Sequence, residues 1–211
     1  MIKGAIFDLD GTILDSMHVW DDLADKYLLS IGITPQEDLK EIFVKMTTMQ
    51  SACWLKENLN IDKEVNEIID GYNVLLKKFY REEVAIKKEF TECYEYMQKN
   101  NVPMIIATSN EIENVRSALK RHGLENKFEY ILTCSELGTD KTNPFIYIKA
   151  AELLNSEPKD IWVFEDSYFC VKTAKGAGFN VCAVYDESNK KYEAETISLA
   201  DHYFKINENK E

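Results

Sequence analysis

Two patterns of apolar and polar positions divide the chain. Between Ser16 and about Arg81, apolar residues recur at three- and four-residue intervals, which is typical of amphipathic helices. Outside this stretch, helical patterns alternate with compact apolar runs at residues 2–7, 102–109, 130–134, 161–166, 180–185 and 202–206. Such alternation predicts a parallel sheet with helices on both faces.

The position of the helical stretch predicts the domain organisation. One apolar run precedes it and the others follow it, so the first strand belongs with the later ones. We therefore expect an α/β fold in which residues 1–15 and 83–211 form a Rossmann-like core. Residues 16–82 would form an inserted, all-helical domain.

Composition excludes several classes of function. The 211 residues carry a net charge of −12, which disfavours nucleic acid and anionic membranes as partners. No apolar run approaches the roughly 20 residues of a membrane span, and the N-terminus does not resemble a signal peptide. The five cysteines show no CxxC spacing, so we expect reduced thiols and a cytoplasmic location. With only three dispersed histidines, a hard metal held by oxygen is expected rather than zinc.

Polar side chains follow several of the predicted strands. In parallel sheets, functional residues gather at the carboxyl ends of the strands. That rule, together with a lysine in a loop that precedes a helix, selects Asp8, Asp10, Thr108, Ser109, Lys141, Glu165 and Asp166. Each motif alone could equally be a turn or a helix cap, and the prediction depends on four chain segments offering matching chemistry.

That chemistry favours phosphoryl transfer. Adjacent carboxylates repel unless a cation or a shared proton offsets the charge, and converging carboxylates suit octahedral Mg²⁺. Thr108 and Ser109 open a helix, whose free N–H groups favour a phosphate, and Lys141 adds a positive charge. One aspartate could attack phosphorus to form an aspartyl phosphate, while a second transfers protons.

These motifs resemble those of haloacid-dehalogenase-like phosphatases. FDLDGTILDS is similar to the first family motif, IIATSN to the second, TDKTNPFIYIKAAELL to the third and IWVFEDSYFCVKTAKGAGF to the fourth. The helical insertion is similar to the cap of the subfamily that includes β-phosphoglucomutase and phosphoglycolate phosphatase. The resemblance covers essentially the whole chain.

The resemblance implies a role for each matching residue. Asp8 would be the nucleophile and Asp10 the general acid and base, and both would also contact the metal. Asp166 would complete the Mg²⁺ shell, with Glu165 as a ligand or the neighbour of one. The phosphate-binding residues would be Thr108, Ser109 and Lys141.

The sequence departs from the family pattern at several places. The third motif reads KTNPF where lysine-proline-x-proline-aspartate is usual, and Cys170 replaces an expected glycine. In the cap, Lys45 matches a lysine with which sugar-phosphate mutases hold a second phosphate, but Met49 stands in place of their arginine. His18 and Lys45 are candidate substrate contacts in the cap.

These inferences predict a Mg²⁺-dependent phosphatase that hydrolyses a small phosphate ester as a monomer. A sugar-phosphate mutase is the alternative enzyme, favoured by Lys45 and disfavoured by Met49. A phospho-acceptor signalling module without turnover is the alternative from another class. Such receivers place the phosphorylated aspartate on a later strand, whereas the DLDGT spacing is that of the phosphatases.

Overall fold

The computed structural model describes residues 2–35, 39–43, 46–59 and 61–206. The strands are β1 (Gly4–Phe7), β2 (Leu14–Asp15), β3 (Ala85–Ile86), β4 (Met104–Thr108), β5 (Tyr130–Thr133), β6 (Ile161–Glu165), β7 (Asn180–Val184) and β8 (His202–Phe204). The α-helices are α1 (Met17–Asp21), α2 (Leu23–Ser30), α3 (Leu39–Phe43), α4 (Thr48–Leu59), α5 (Val65–Glu82), α6 (Lys88–Lys99), α7 (Ile112–Arg121), α8 (Cys134–Leu137), α9 (Phe145–Leu153), α10 (Tyr168–Gly176) and α11 (Glu193–Leu199). Two 3₁₀ turns span Pro158–Asp160 and Glu187–Tyr192.

Six strands form one parallel sheet in the order β5-β4-β1-β6-β7-β8. The predicted α/β architecture is confirmed. Strand β4 is buried at all five positions, as expected for a strand with both faces covered. The sequence pattern did not predict β2 and β3, which pair as a two-residue antiparallel ribbon, because two residues are too few to show an alternation.

Successive side chains of a strand point to opposite faces of the sheet, and two apolar layers result. On one face, Ile6 of β1 belongs to a cluster with Ile105 of β4 and Tyr147 of α9. On the other face, the ring of Phe7 stacks on Phe164 at a centroid distance of 4.3 Å and meets Phe90 of α6 edge-on at 5.5 Å. The central strand β1 is therefore packed on both sides, which holds its carboxyl end in place.

The chain divides into two compact units, one made of Met1–Ser16 and Val84–Glu211 and the other of Met17–Glu83. In the second unit, helix α5 packs against α2 and α4. The buried rings of Tyr27 and Tyr72 meet edge-on at 5.3 Å, and the Tyr72 hydroxyl lies 3.3 Å from Ser51 Oγ. Among the described residues, no helix is both long and apolar enough to cross a membrane.

Candidate active site

The register of the central strands brings the predicted residues to one edge of the sheet. Phe7 pairs with Phe164 of β6 and with Ile106 of β4. Asp8, the next residue, donates its backbone N–H to the Phe164 carbonyl at 3.0 Å. Because these strands are parallel, Asp8, Thr108 and Glu165 emerge at their shared carboxyl ends.

Lys141 joins two of these strand ends. Its buried ammonium donates a hydrogen bond to Asp8 Oδ1 and a second one to Glu165 Oε1 at 2.7 Å. Glu165 Oε1 also accepts a hydrogen bond from the Tyr147 hydroxyl at 2.8 Å. Burial alone would lower the pKa of Lys141, but the carboxylates of Asp8 and Glu165 raise it above its ordinary value. The lysine therefore stays charged and holds Asp8 beside Glu165.

Three buried carboxylates form an acidic cluster at this edge. Asp8, Glu165 and Asp166 each offer an oxygen, and the three oxygens lie within 4.8 Å of one another. Burial raises the pKa of Asp8 to about 8 and that of Asp166 well above its usual range, and each neighbouring carboxylate adds to the shift. Among the described residues of this cluster one ammonium faces three acids, so ionising all three would leave an excess of negative charge that a cation would offset.

Gly11 allows the DLDG turn to approach this cluster. Its φ is +80°, and a Cβ at this position would lie 2.7 Å from Cγ of Asp166. Only glycine combines the left-handed conformation with so close an approach. The glycine of the first motif therefore has a steric explanation in the structure.

Asp10 is held by two side chains that the sequence analysis did not assign to the site. Ser16 Oγ donates to Asp10 Oδ1 at 2.6 Å, and Asn110 Nδ2 donates to Asp10 Oδ2 at 2.7 Å. Asn110 in turn accepts hydrogen bonds through Oδ1 from the Glu111 backbone N–H at 2.8 Å and from Asn114 Nδ2 at 3.0 Å. Both oxygens of the Asp10 carboxylate are thus oriented.

The hydroxyl groups at the strand ends differ in their surroundings. Thr108 is buried, and its Oγ1 accepts the Asn110 backbone N–H at 3.0 Å. Ser109 is exposed, and its Oγ lies 3.5 Å from Cys134 Sγ. The hydroxyl of Thr12, in the DLDGT turn, is buried without a hydrogen-bond partner among the described residues. Such an orphaned buried hydroxyl is a polar group that a bound phosphate or water could satisfy.

The unusual third motif has its own local support. Asp140 Oδ1 accepts the Thr142 backbone N–H at 2.8 Å, and Asn143 Oδ1 accepts the Phe145 backbone N–H at 3.0 Å. Pro144 then precedes α9, which begins at Phe145. These side chain-to-backbone bonds shape the loop that presents Lys141, with Thr142 in place of the first proline that is usual in the family.

Among the described residues, four that contact the predicted carboxylates were given no role in the site at the sequence level: Ser16, Asn110, Tyr147 and Asn189. Asn110 directly follows Thr108 and Ser109, so its position at a strand end was the available signal. Tyr147 lies inside an apolar helical pattern and looks like an ordinary core residue. Asn189, whose Nδ2 donates to Asp166 Oδ2 at 2.7 Å, lies in a polar run that shows no pattern.

The two candidate substrate contacts lie in the helical unit. His18 is exposed on α1, and its ring meets Phe79 edge-on at 5.5 Å. Lys45 lies outside the described residues. The assignment of either residue to the substrate remains a prediction.

Comparison with known proteins identifies the family. Residues 5–184 match the family model of the haloacid dehalogenase-like hydrolases. The chain belongs to this family. It is 25% identical over 177 residues to a phosphorylated carbohydrates phosphatase of Thermotoga maritima, covering 84% of this chain and 82% of that protein. It is 27% identical over 188 residues to hexitol phosphatase A of Escherichia coli, covering 86% and 82%.

A solved structure agrees with these relatives. A β-phosphoglucomutase-like protein from Thermotoga maritima superposes with a TM-score of 0.85 at 25% identity, covering 97% of this chain and 94% of that one. The family resemblance inferred from the four motifs is confirmed. The chain is a haloacid dehalogenase-like phosphohydrolase, and its acidic cluster has the donor chemistry that Mg²⁺ prefers.

Proposed function

We propose that this hydrolase is a Mg²⁺-dependent phosphatase that cleaves a small phosphate ester through an aspartyl phosphate on Asp8. The observation that carries the proposal is the shared environment of Asp8 and Lys141. The nucleophile candidate accepts a hydrogen bond from a buried ammonium and belongs to a cluster of three buried acids. A site with one fixed cation and a place for a second can neutralise a phosphate dianion.

The residues that would hold the metal are Asp8, Glu165 and Asp166, with the Asp10 backbone carbonyl as a further ligand in the family pattern. When bound, Mg²⁺ would neutralise charge on the phosphoryl oxygens and let them approach the carboxylates. The three carboxyl groups of the cluster fit this occupancy, because each offers an oxygen and the three oxygens lie within 4.8 Å of one another. Lys141, Thr108 and Ser109 would hold the remaining phosphoryl oxygens.

The first step would transfer the phosphoryl group to the protein. Asp8 Oδ attacks phosphorus, the P–O bond to the leaving group breaks, and Asp10 gives its proton to the leaving oxygen. This step requires Asp10 to be protonated when the ester binds. Ser16 and Asn110 would orient its two oxygens for the transfer.

The second step would release phosphate. Asp10, now deprotonated, takes a proton from a water molecule as the water oxygen attacks the phosphorus of the aspartyl phosphate. The bond between phosphorus and Asp8 breaks, which restores the carboxylate. Asp10 ends the cycle protonated, so the protons balance.

The helical unit is proposed to act as the cap that selects the ester. The curated relatives that support this are named for phosphorylated carbohydrates and hexitols, so a phosphorylated sugar or polyol is the first substrate class to test. His18 and Lys45 are the candidate contacts. Lys45→Ala should change the order of preference among esters, and an unchanged kcat/KM for every ester would remove Lys45 from this role.

The test of the proposal is phosphate release from a panel of sugar, polyol, nucleotide and short-acid phosphates, with Mg²⁺ and with EDTA. We expect release from one or a few esters, loss of that release in EDTA, and a fall of about 10⁴-fold in kcat for Asp8→Asn. The matched control is Asp160→Asn, because Asp160 contacts the exposed Lys3 at 2.8 Å. Metal-independent release, or an active Asp8→Asn protein, would refute the mechanism.

A sugar-phosphate mutase is the second candidate, favoured by the superposition on a β-phosphoglucomutase-like structure. Met49, which stands in place of the mutase arginine, is an exposed residue of α4 in the structure. A thioether cannot form the bidentate contact of a guanidinium with a phosphate. Isomerisation of a hexose phosphate that depends on a bisphosphate primer, without net phosphate release, would favour the mutase.

A further inference from the structure

The side chain of Asn189 contacts a carboxylate of the acidic cluster. Its Nδ2 donates to Asp166 Oδ2 at 2.7 Å, and Asp166 lies directly after β6. Asn189 belongs to the 3₁₀ turn Glu187–Tyr192 after β7, so it reaches Asp166 from a separate segment of the chain. An amide that donates to one carboxylate oxygen restricts the rotation of that carboxylate, and this is how neighbouring groups orient metal ligands.

A buried ion pair supports the turn that carries Asn189. Asp186, two positions after β7, accepts hydrogen bonds through Oδ1 from Ser188 N at 3.0 Å and from Ser188 Oγ at 2.7 Å. Asp186 Oδ2 is 2.8 Å from the ammonium of Lys87, and the exposed fractions of these two side chains are only 7% and 9%. Removal of one partner of a buried pair leaves an uncompensated charge, so both charges are needed to keep this turn in its conformation.

Lys87 connects this turn to segments that lie far from it in the sequence. It stands at the start of α6, directly after β3, and its backbone N–H donates to the Ile13 carbonyl at 3.0 Å. Its ammonium also donates to the Tyr185 carbonyl at 2.6 Å. The contacts of Lys87 therefore hold both the acid Asp186 and the backbone that leads into the turn.

We infer that Asn189 is a positioning residue for the metal-binding carboxylate of Asp166, and that the Lys87–Asp186 pair holds Asn189 in place. The inference rests on the proposed function, because it requires Mg²⁺ at the cluster formed by Asp8, Glu165 and Asp166. It adds a segment after β7 to a site that the four sequence motifs do not include. The Asn189 amide fixes the orientation of the Asp166 carboxylate before Mg²⁺ binds, so Mg²⁺ binding does not have to order this side chain.

The first test is calorimetric titration of the purified, substrate-free protein with MgCl₂ alone. Asn189→Ala should raise the Kd for Mg²⁺ by about 10- to 100-fold, the usual cost of losing such a partner, while its Tm in EDTA stays close to wild type. Asn189→Gln keeps the amide donor and should restore part of the affinity. The control is Asn100→Ala, because Asn100 Nδ2 donates to the Tyr96 carbonyl at the end of α6, also at 2.7 Å.

The second test separates positioning from simple electrostatics. Lys87→Gln removes a positive charge, so electrostatics alone would tighten Mg²⁺ binding, whereas loss of the support for Asn189 should weaken it by about tenfold or more. This change leaves Asp186 unpaired and buried. If the variant does not fold, Lys87→Gln combined with Asp186→Asn offers an uncharged pair, and added Asn189→Ala should then weaken Mg²⁺ binding as in the wild type.

The outcomes distinguish the inference from the function on which it rests. If wild type binds no Mg²⁺, the metal assignment fails. If wild type binds Mg²⁺ and Asn189→Ala binds it with the same Kd, only the role of Asn189 is refuted. Tighter binding by a folded Lys87→Gln protein would refute the role of the Lys87–Asp186 pair.

Discussion

The side-chain amide of Asn110 donates a hydrogen bond to Asp10 Oδ2 at 2.7 Å, across 100 positions of the chain. The same asparagine accepts through Oδ1 from the Glu111 backbone at the start of α7 and from Asn114. Its orientation is therefore set by the helix, and its amide is directed at Asp10. The proposed acid and base is therefore aligned by a residue that directly follows Thr108 and Ser109, the proposed phosphate-binding residues.

Removing this contact should slow the protein without unfolding it. Hydrogen bonds to charged groups contribute about 1.5–3 kcal/mol, so Asn110→Ala should lower kcat by about 10- to 100-fold with a smaller change in KM. Steady-state kinetics on the best ester of the panel measure both values. Asn100→Ala is again the control, and a kcat within twofold of wild type would show that Asn110 does not orient Asp10.

Replacement of Asp10 should depend on the leaving group. Asp10→Asn cannot transfer a proton, so kcat for an alkyl ester should fall by about 10²- to 10⁴-fold. An aryl ester such as p-nitrophenyl phosphate leaves as a stable phenolate and needs little protonation, so its first step should be slowed much less. Burst kinetics of nitrophenolate release measure that step. Equal loss of the first step for both esters would assign leaving-group protonation to another residue.

Gly11→Ala should affect the metal site beyond its effect on the backbone. A left-handed non-glycine residue costs roughly 1–2 kcal/mol, and at Gly11 the new Cβ would also displace Asp166. Gly123 has a φ of +66° with open space around it, so Gly123→Ala is a control with the backbone cost alone. We expect a lower Tm for both variants. Only Gly11→Ala should bind Mg²⁺ more weakly, by about tenfold or more, as expected when the surroundings of a metal ligand are disturbed.

The stability of the metal-free protein should fall as pH rises. Burial raises the pKa of Asp8 to about 8 in the folded protein, from an ordinary value of 3.8. The folded state therefore binds a proton that the unfolded state releases, and this stabilisation is lost between about pH 4 and pH 8. Asp8→Asn should show a flatter profile of Tm against pH in EDTA.

The same profile has two internal controls. Asp160 is only partly exposed, and its hydrogen bond with Lys3 lowers its pKa, so Asp160→Asn should keep the wild-type slope between pH 5 and pH 8. Saturating Mg²⁺ should flatten the wild-type profile, because the cation favours the ionised carboxylates. Parallel wild-type and Asp8→Asn profiles in EDTA would show that Asp8 does not titrate in this range.

The regular elements could be predicted because their patterns are local. Six apolar runs correspond to β1, β4, β5, β6, β7 and β8, since a buried strand is readable from a few consecutive residues. The short helices α8 and α11 and the ribbon of β2 with β3 went unpredicted. Elements of two to seven residues contain too few turns or alternations to produce a period, and tertiary contacts stabilise them.

The sequence by itself determined that Asp8, Thr108 and Glu165 lie at strand ends on one edge of the sheet, because strand-end residues follow from apolar runs and the rule for parallel sheets. Only the tertiary structure decided that Lys141 bonds both Asp8 and Glu165, which lie 133 and 24 positions away. The contact of Asn189 with Asp166 could not be predicted from the sequence either. Such pairings depend on strand register and on loop conformations, both of which are set by packing between segments that are distant in the sequence. Neither produces a periodic pattern in the sequence around the residues that make the contact.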